Sequence, residues 1–187
     1  MTRTPLVASL AASALVSLLA ACSSAPMTPM TQKYDQSTLP AAVRVPAGHS
    51  VATELVGVGD LTYECREKID APGQFAWTLI GPVAVLNDRN GKPVGKYAGP
   101  PAVWTHNDAS SARGTQVAIA PGGAGNIPLQ LVKVDEIKGK GAMSGITFIQ
   151  RVATKGGVAP ALPCTQADNY KETTVKYQAD YIFYRAM

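Results

Sequence analysis

Apolar and polar residues alternate with a period of two near the C-terminus of this chain. Val175, Tyr177, Ala179, Tyr181 and Phe183 fall on one side, and Thr174, Lys176, Gln178 and Asp180 on the other. Successive side chains of a strand point to opposite faces, so this spacing predicts a half-buried β-strand. Leu61, Tyr63 and Cys65 alternate in the same way with Thr62, Glu64 and Arg66, and Phe75, Trp77 and Leu79 repeat the pattern. Ala84 to Leu86, Val94 to Tyr97, Val103 to Thr105, Gln116 to Ala120 and Leu129 to Val134 read as further strands. Ile146 to Val152 is β-branched and apolar enough for a central strand. Asp88-Arg89-Asn90-Gly91 reads as a hairpin turn, its Asn-Gly supplying the positive φ angles that tight turns need. Pro-Gly, Gly-Pro and Gly-Gly pairs fill the other gaps, and no window carries a capped helical stripe. The pattern predicts an all-β fold: an antiparallel β-sandwich or small barrel of about nine or ten short strands.

The first residues follow a different pattern. Arg3 precedes a mostly apolar run from Leu6 to Leu18, which ends in Leu19-Ala20-Ala21-Cys22. A basic start, a short apolar core and small residues at the cut predict a secretory signal peptide over residues 1–21. The final four residues resemble the lipobox of bacterial lipoproteins. That resemblance implies cleavage before Cys22, acylation of its thiol and anchoring in the membrane by several acyl chains. Each buried methylene contributes about 0.8 kcal/mol, so such an anchor is durable. Ser23 stands where lipoproteins retained in the inner membrane often carry Asp, which points to the outer membrane, facing the periplasm. Residues 22–44, with Pro26, Pro29 and Pro40 among Ser and Thr, read as a flexible tether. The alternative is that Leu39 to Val45 joins the domain as a short edge segment. Residues 45–187 form the single β domain.

Composition narrows the partners. The net charge of +4 is scattered, and no basic run alternates with aromatics, so nucleic acid is not expected. With Cys22 acylated, Cys65 and Cys164 remain, and an even pair in an oxidising compartment predicts a disulfide. Closing a loop of about 100 residues contributes about 4 to 5 kcal/mol in the chain-entropy model. The alternatives are two buried free thiols, or a metal site that His49 and His106 help to complete.

The chemical motifs are thin. Gly139-Lys140-Gly141-Ala142-Met143-Ser144 approaches a dinucleotide-binding glycine pattern, but Ile146 to Ile149 behind it reads as strand. Phosphate binding needs a helix there, so the segment is expected to be a turn and no cofactor is expected. His106 and Asp108 with Ser110 bring the residue types of a nucleophilic triad together, yet such groups usually converge from separate elements. Glu54, Asp60 and Glu64 are candidate acid–base carboxylates. Gly95 to Pro101 through Trp104 is the candidate ligand-binding surface, with Tyr97 and Trp104 as its aromatics.

Several of these pieces also carry a resemblance. Val45-Pro46-Ala47-Gly48, Leu61-Thr62-Tyr63-Glu64-Cys65, Tyr97-Ala98-Gly99-Pro100 and Ile146 to Val152 with Gly156-Gly157-Val158-Ala159-Pro160 and Cys164 stand out. Together they resemble the secreted bacterial and fungal domain-of-unknown-function family 3455. The resemblance implies export, a paired cysteine and a β-rich domain, and it supplies no activity. Lys96 stands where the family pattern often has His, and Asp108-Ala109-Ser110 where relatives tend to show Asp-Gly-Ser.

These readings lead to a lipid-anchored cell-envelope protein that binds a small molecule, glycan or protein partner without catalysis. The ligand-binding candidates are Tyr97, Trp104, His106 and Asp108. A hydrolase using His106 and Asp108 is the second reading, and a purely structural envelope component the third. An enzyme predicts His106 and Asp108 converging with another polar group in a concave pocket. A binding module predicts Tyr97 or Trp104 exposed on a groove.

Overall fold

The computed structural model describes Met1 and residues 34–187, so Cys22 and, apart from Met1, the segment expected to be a signal peptide lie outside the described residues. Eight antiparallel strands follow one another around a closed barrel: β1 (His49–Lys68), β2 (Ala71–Asn87), β3 (Pro93–Ala98), β4 (Val103–His106), β5 (Ser111–Ala120), β6 (Leu129–Lys138), β7 (Ile146–Gly156) and β8 (Glu172–Ala186). Each pairs with its sequence neighbour, and β1 closes the ring on β8, from His49↔Ala186 to Glu64↔Glu172. Closure removes every free sheet edge. The fold is thus the barrel of the two expected architectures, with eight strands rather than nine or ten.

The difference in count arises in β2. Phe75 to Leu79 and Ala84 to Leu86 belong to one strand that runs through Gly81-Pro82. Proline cannot donate to a ladder and is tolerated where pairing is irregular. Here the register with β1 shifts at Thr62/Tyr63, next to the pairs Thr62↔Gly81 and Leu61↔Pro82. The hairpin between β2 and β3 also differs from a two-residue turn. Asp88 Oδ1 accepts from the amides of Asn90 and Lys92, and of this pair Gly91 alone has a positive φ, at 82°.

Small barrels are filled by side chains, with large residues set against small ones. Leu61, Tyr97, Trp104, Ile149, Tyr181 and Phe183 fill this lumen. Gly57 of β1 makes room for one of them: a Cβ there would lie 2.5 Å from the Tyr181 ring. Tyr97 and Trp104 stack with centroids 4.7 Å apart, and Trp104 meets Tyr181 edge-on at 5.8 Å.

A second apolar cluster lies on the outer wall. Val43 and Val45 pack on Ala120, Leu131, Val152, Ile182 and Tyr184, with Tyr34 and Leu39 alongside. Gln150 of β7 is fully buried beneath this segment. Its Nε2 donates to the Val43 carbonyl at 2.6 Å and to Gln36 Oε1 at 3.0 Å, while its Oε1 accepts from the Tyr184 hydroxyl at 2.7 Å. Residues 34–45 are therefore fastened to the barrel, where the sequence pattern places a tether running to residue 44. They cover a sheet face rather than extending an edge, because a closed barrel has no edge to extend.

Cys65 on β1 is bonded to Cys164 in the loop between β7 and β8, with Cα atoms 5.6 Å apart. The same loop accepts a hydrogen bond from Trp77 Nε1 at the Leu162 carbonyl, 2.9 Å away. The hairpin formed by β1 and β2 is thus tied to the last connection at one end of the barrel.

Candidate functional site

The two ends of the barrel hold different polar chemistry. At the end away from the disulfide, Asp108 sits in the turn between β4 and β5. Its Oδ1 accepts from the Ser110 amide at 2.9 Å and from the Ser110 hydroxyl at 2.6 Å. Its Oδ2 accepts from the Ala142 amide at 2.7 Å and lies 3.0 Å from His106 Nδ1. The Ser110 hydroxyl, the Ala142 and Ser110 amides and, to a smaller extent, His106 hold this carboxyl well below the usual carboxylate range. Ser110 is fully buried, and its Oγ also accepts from the Met143 amide at 3.1 Å.

This constellation latches two turns together. The Gly139–Ser144 segment forms the connection between β6 and β7, as expected for a turn rather than a nucleotide loop. Met143 from that connection is fully buried in the lumen cluster and plugs the barrel at this end. Arg185 donates to the Ser144 carbonyl at 2.7 Å and the Ala142 carbonyl at 2.8 Å, holding the plug from β8. A nucleophile needs an accessible oxygen and a base aimed at it. Ser110 Oγ is enclosed and donates to a carboxylate, so the cluster does not have that form.

The other sequence candidates are dispersed. Glu54 pairs with Arg89 at 2.7 Å, Asp60 with Lys176 at 2.8 Å, and Glu64 with Arg66. These carboxylates form separate ion pairs rather than an acid–base couple. His49 packs edge-on against Phe148, centroids 5.0 Å apart. Tyr97 and Trp104 are inside the barrel, 5% and 0% exposed, so neither forms the exposed aromatic groove expected of Gly95 to Trp104. The four ligand-binding candidates do not converge: the two aromatics belong to the lumen, and His106 and Asp108 to the latch.

At the disulfide end the barrel is open. A cavity of about 250 Å³ is lined by Leu79, Pro82, Pro100 and Ala102 on its apolar side. Tyr97, Gln116, Gln130 and Arg151 supply its polar groups. The path of the rim between β3 and β4 runs through Gly99-Pro100-Pro101, with cis peptide bonds before both prolines. The ladder places Gln130 opposite Arg151, and Arg151 opposite Tyr181. Arg151 therefore shares the inner face with the buried Tyr181 ring. Gln130 Nε2 donates to Gln116 Oε1 at 2.6 Å, and Arg151 Nε and Nη2 donate to the Pro128 carbonyl at 3.2 and 2.9 Å.

Behind the opening lies a set of tyrosine hydroxyls. Tyr63 donates to the Gly157 carbonyl at 2.7 Å, and the Tyr177 and Tyr181 hydroxyls are 3.2 Å apart. Burial pushes Tyr177 up to about 12 and Tyr181 well above its ordinary value, while Arg151 pulls both slightly the other way. The hydroxyls stay protonated near neutral pH and serve as neutral donors. Trp104 Nε1 is buried without an acceptor among the described residues.

Sequence reasoning missed Gln116, Gln130 and Arg151. Within Ile149-Gln150-Arg151-Val152 both faces are covered, one by the lumen and the other by residues 34–45, so no alternation marks which polar residue faces inward. The signal that remained was an arginine two positions after Ile149, on the same face of the strand.

A family model described as a protein of unknown function (DUF3455) matches residues 46–185, which is most of the chain and the whole barrel apart from its last residue. No curated protein and no solved structure matches it.

Proposed function

We propose that this chain, which belongs to the DUF3455 family, is a non-enzymatic envelope lipoprotein whose barrel takes up a small molecule through its disulfide end. One observation carries the binding half of this reading. The opening holds a cation, two carboxamides and an aromatic ring around a concave apolar wall, the combination that orients small ligands. The wall is rigid, because the flanking strands belong to a closed ladder and the loop beyond is stapled by Cys65–Cys164. The envelope half rests on Arg3, the apolar run and Leu19-Ala20-Ala21-Cys22. The hydrolase reading draws no support from His106 and Asp108, which are engaged in the latch.

A fragment screen by amide chemical-shift perturbation tests the binding half. Binders are expected to shift the amides of residues 79–81, 97–99, 102, 116, 130 and 151, and to leave 106–110 and 139–145 still. Fragments that shift only the second set, or none that shift the first, sink the reading. Mass spectrometry of the chain purified from membranes tests the anchor: acylated Cys22 is expected, and an unmodified thiol refutes it.

A further inference from the structure

The cavity at the disulfide end has a charge that the protein does not balance. Arg66, Arg89 and Arg113 each pair with a carboxylate. Arg44, Arg151 and Arg185 make no ion pair among the described residues and donate to backbone carbonyls instead; of these three, Arg151 lines the cavity, its Nε and Nη2 donating to one carbonyl. A guanidinium carries five N–H donors, and the Pro128 carbonyl engages two of them. Nη1 has no protein acceptor among the described residues, and Arg151 lines the cavity.

The groups around Arg151 are neutral. Tyr63, Tyr97, Tyr177 and Tyr181 all feel its charge and remain protonated because burial disfavours their phenolate forms. Gln116 and Gln130 contribute dipoles but no charge. Asp60 and Lys176 pair with each other on the outer wall, opposite one another in the β1–β8 ladder. Arg151 is half-buried and its bonds to Pro128 lie at a solvent-exposed position, so its remaining donors are free to form charge-assisted hydrogen bonds with an anion brought by a ligand.

Shape narrows the ligand further. The cavity holds about eight water volumes at roughly 30 Å³ each. Beyond the cation its wall is apolar, formed by Leu79, Ile80, Pro82, Pro100 and Ala102. A free inorganic ion would leave that wall wet, whereas a wholly apolar molecule would leave the guanidinium unpaired. The Pro128 carbonyl fixes one edge of the guanidinium, so the remaining edge has a set orientation. A planar carboxylate matches such an edge with two parallel hydrogen bonds.

Resting on the small-molecule reading above, we propose that the ligand is a small amphipathic carboxylate. Its head pairs with Arg151, and its short apolar body lies against Pro82 and Pro100. The carboxamides of Gln116 and Gln130 border the head, and Tyr97 forms the floor.

Isothermal titration of the full chain with benzoate and with its neutral isostere benzamide tests this directly. Benzoate is expected to bind at least tenfold more tightly, with the preference shrinking as salt rises. Arg151→Gln is expected to abolish the preference, bringing the affinity of benzoate down to that of benzamide. Arg151→Lys, which keeps the charge and loses the fork, is expected to retain only part of it. Equal affinity for the two probes in the unaltered chain overturns the carboxylate assignment while the small-molecule reading stands. Tighter binding of phenyl phosphate than of benzoate also overturns it, in favour of a phosphate monoester. Binding of none of these three probes, with no fragment shifting the cavity residues, overturns both readings. If Arg151→Gln fails to fold, the benzoate-to-benzamide ratio in the unaltered chain decides alone.

Discussion

The two ends of the barrel each gather polar groups and differ in how those groups are satisfied. At the closed end a carboxylate, a hydroxyl and several backbone amides consume one another's hydrogen-bonding capacity, and Met143 fills the space behind them. At the open end a guanidinium and two carboxamides border a cavity, and much of their capacity is unused by the protein. The residues that look like catalytic chemistry in the sequence are structural, while glutamines and an arginine inside an apolar run form the candidate site. Internal satisfaction separates the two, since a polar group fully paired within its own fold has nothing to offer a ligand.

The largest expected effect comes from the staple at the open end. Replacing Cys65 and Cys164 together by Ser frees a loop with a sequence separation of 99. Urea denaturation is expected to show a loss of about 4 to 5 kcal/mol. A loss under 1 kcal/mol would mean that the loop after β7 is held by contacts such as Trp77 to Leu162 instead. Next comes the plug at the closed end. Met143→Ala empties a fully buried position, and comparable truncations cost about 2 to 5 kcal/mol. Benzoate affinity at the other end is expected to be unchanged. A Met143→Ala chain that loses stability and benzoate binding together would show that the two ends are one mechanical unit.

The latch itself gives a smaller effect and a pH signature. Ser110→Ala strands the buried Met143 amide and is expected to cost about 1 to 3 kcal/mol. For Asp108 the sign follows from its folded carboxyl lying below the ordinary value of 3.8. The unfolded chain takes up the proton first as pH falls. The contribution is complete above about pH 4 and is lost as pH drops towards the lowered folded value. Thermal melts are expected to fall below pH 4 in the unaltered chain and to fall less steeply in Asp108→Asn. Some slope remains, because Asp35 and Asp168 are lowered too. Identical acid profiles for the two chains would remove Asp108 from the latch.

Much of the barrel was legible in the sequence, for a definite reason. Strands with one wet face, such as β8 over Thr174 to Asp180, display their alternation openly. Closure was not legible, because the β1–β8 ladder joins residues more than a hundred positions apart and no local pattern encodes which distant strands meet. The covering segment was hidden for a related reason. Residues 34–45 have the composition of a tether, and their order comes from partners elsewhere in the chain: Gln150, Ile182 and Tyr184. The disulfide was readable from the cysteine count together with the compartment that the first residues lead one to expect. Of the cavity, the rim from Tyr97 to Ala102 lay within the stretch the sequence singled out, whereas Arg151 did not stand out, because β7 is covered on both sides.

The smallest effect sharpens the comparison most, because it isolates satisfaction from residue type. Gln130 at the opening and Gln150 beneath residues 34–45 are the same side chain on adjacent strands. Gln150 is fully buried, and the three bonds it makes to Val43, Gln36 and Tyr184 draw on both ends of its carboxamide. Gln130 donates once, to Gln116, at a solvent-facing position. Removing an exposed hydrogen bond leaves water to replace it, so Gln130→Ala is expected to change stability by less than about 0.5 kcal/mol. It is expected to weaken benzoate binding, because the amide borders the proposed carboxylate head. Denaturation midpoints and benzoate titrations on the same preparation check both halves. A Gln130→Ala chain that unfolds early while binding as before would place the open end in the same class as the closed one, and the distinction between the two ends would disappear.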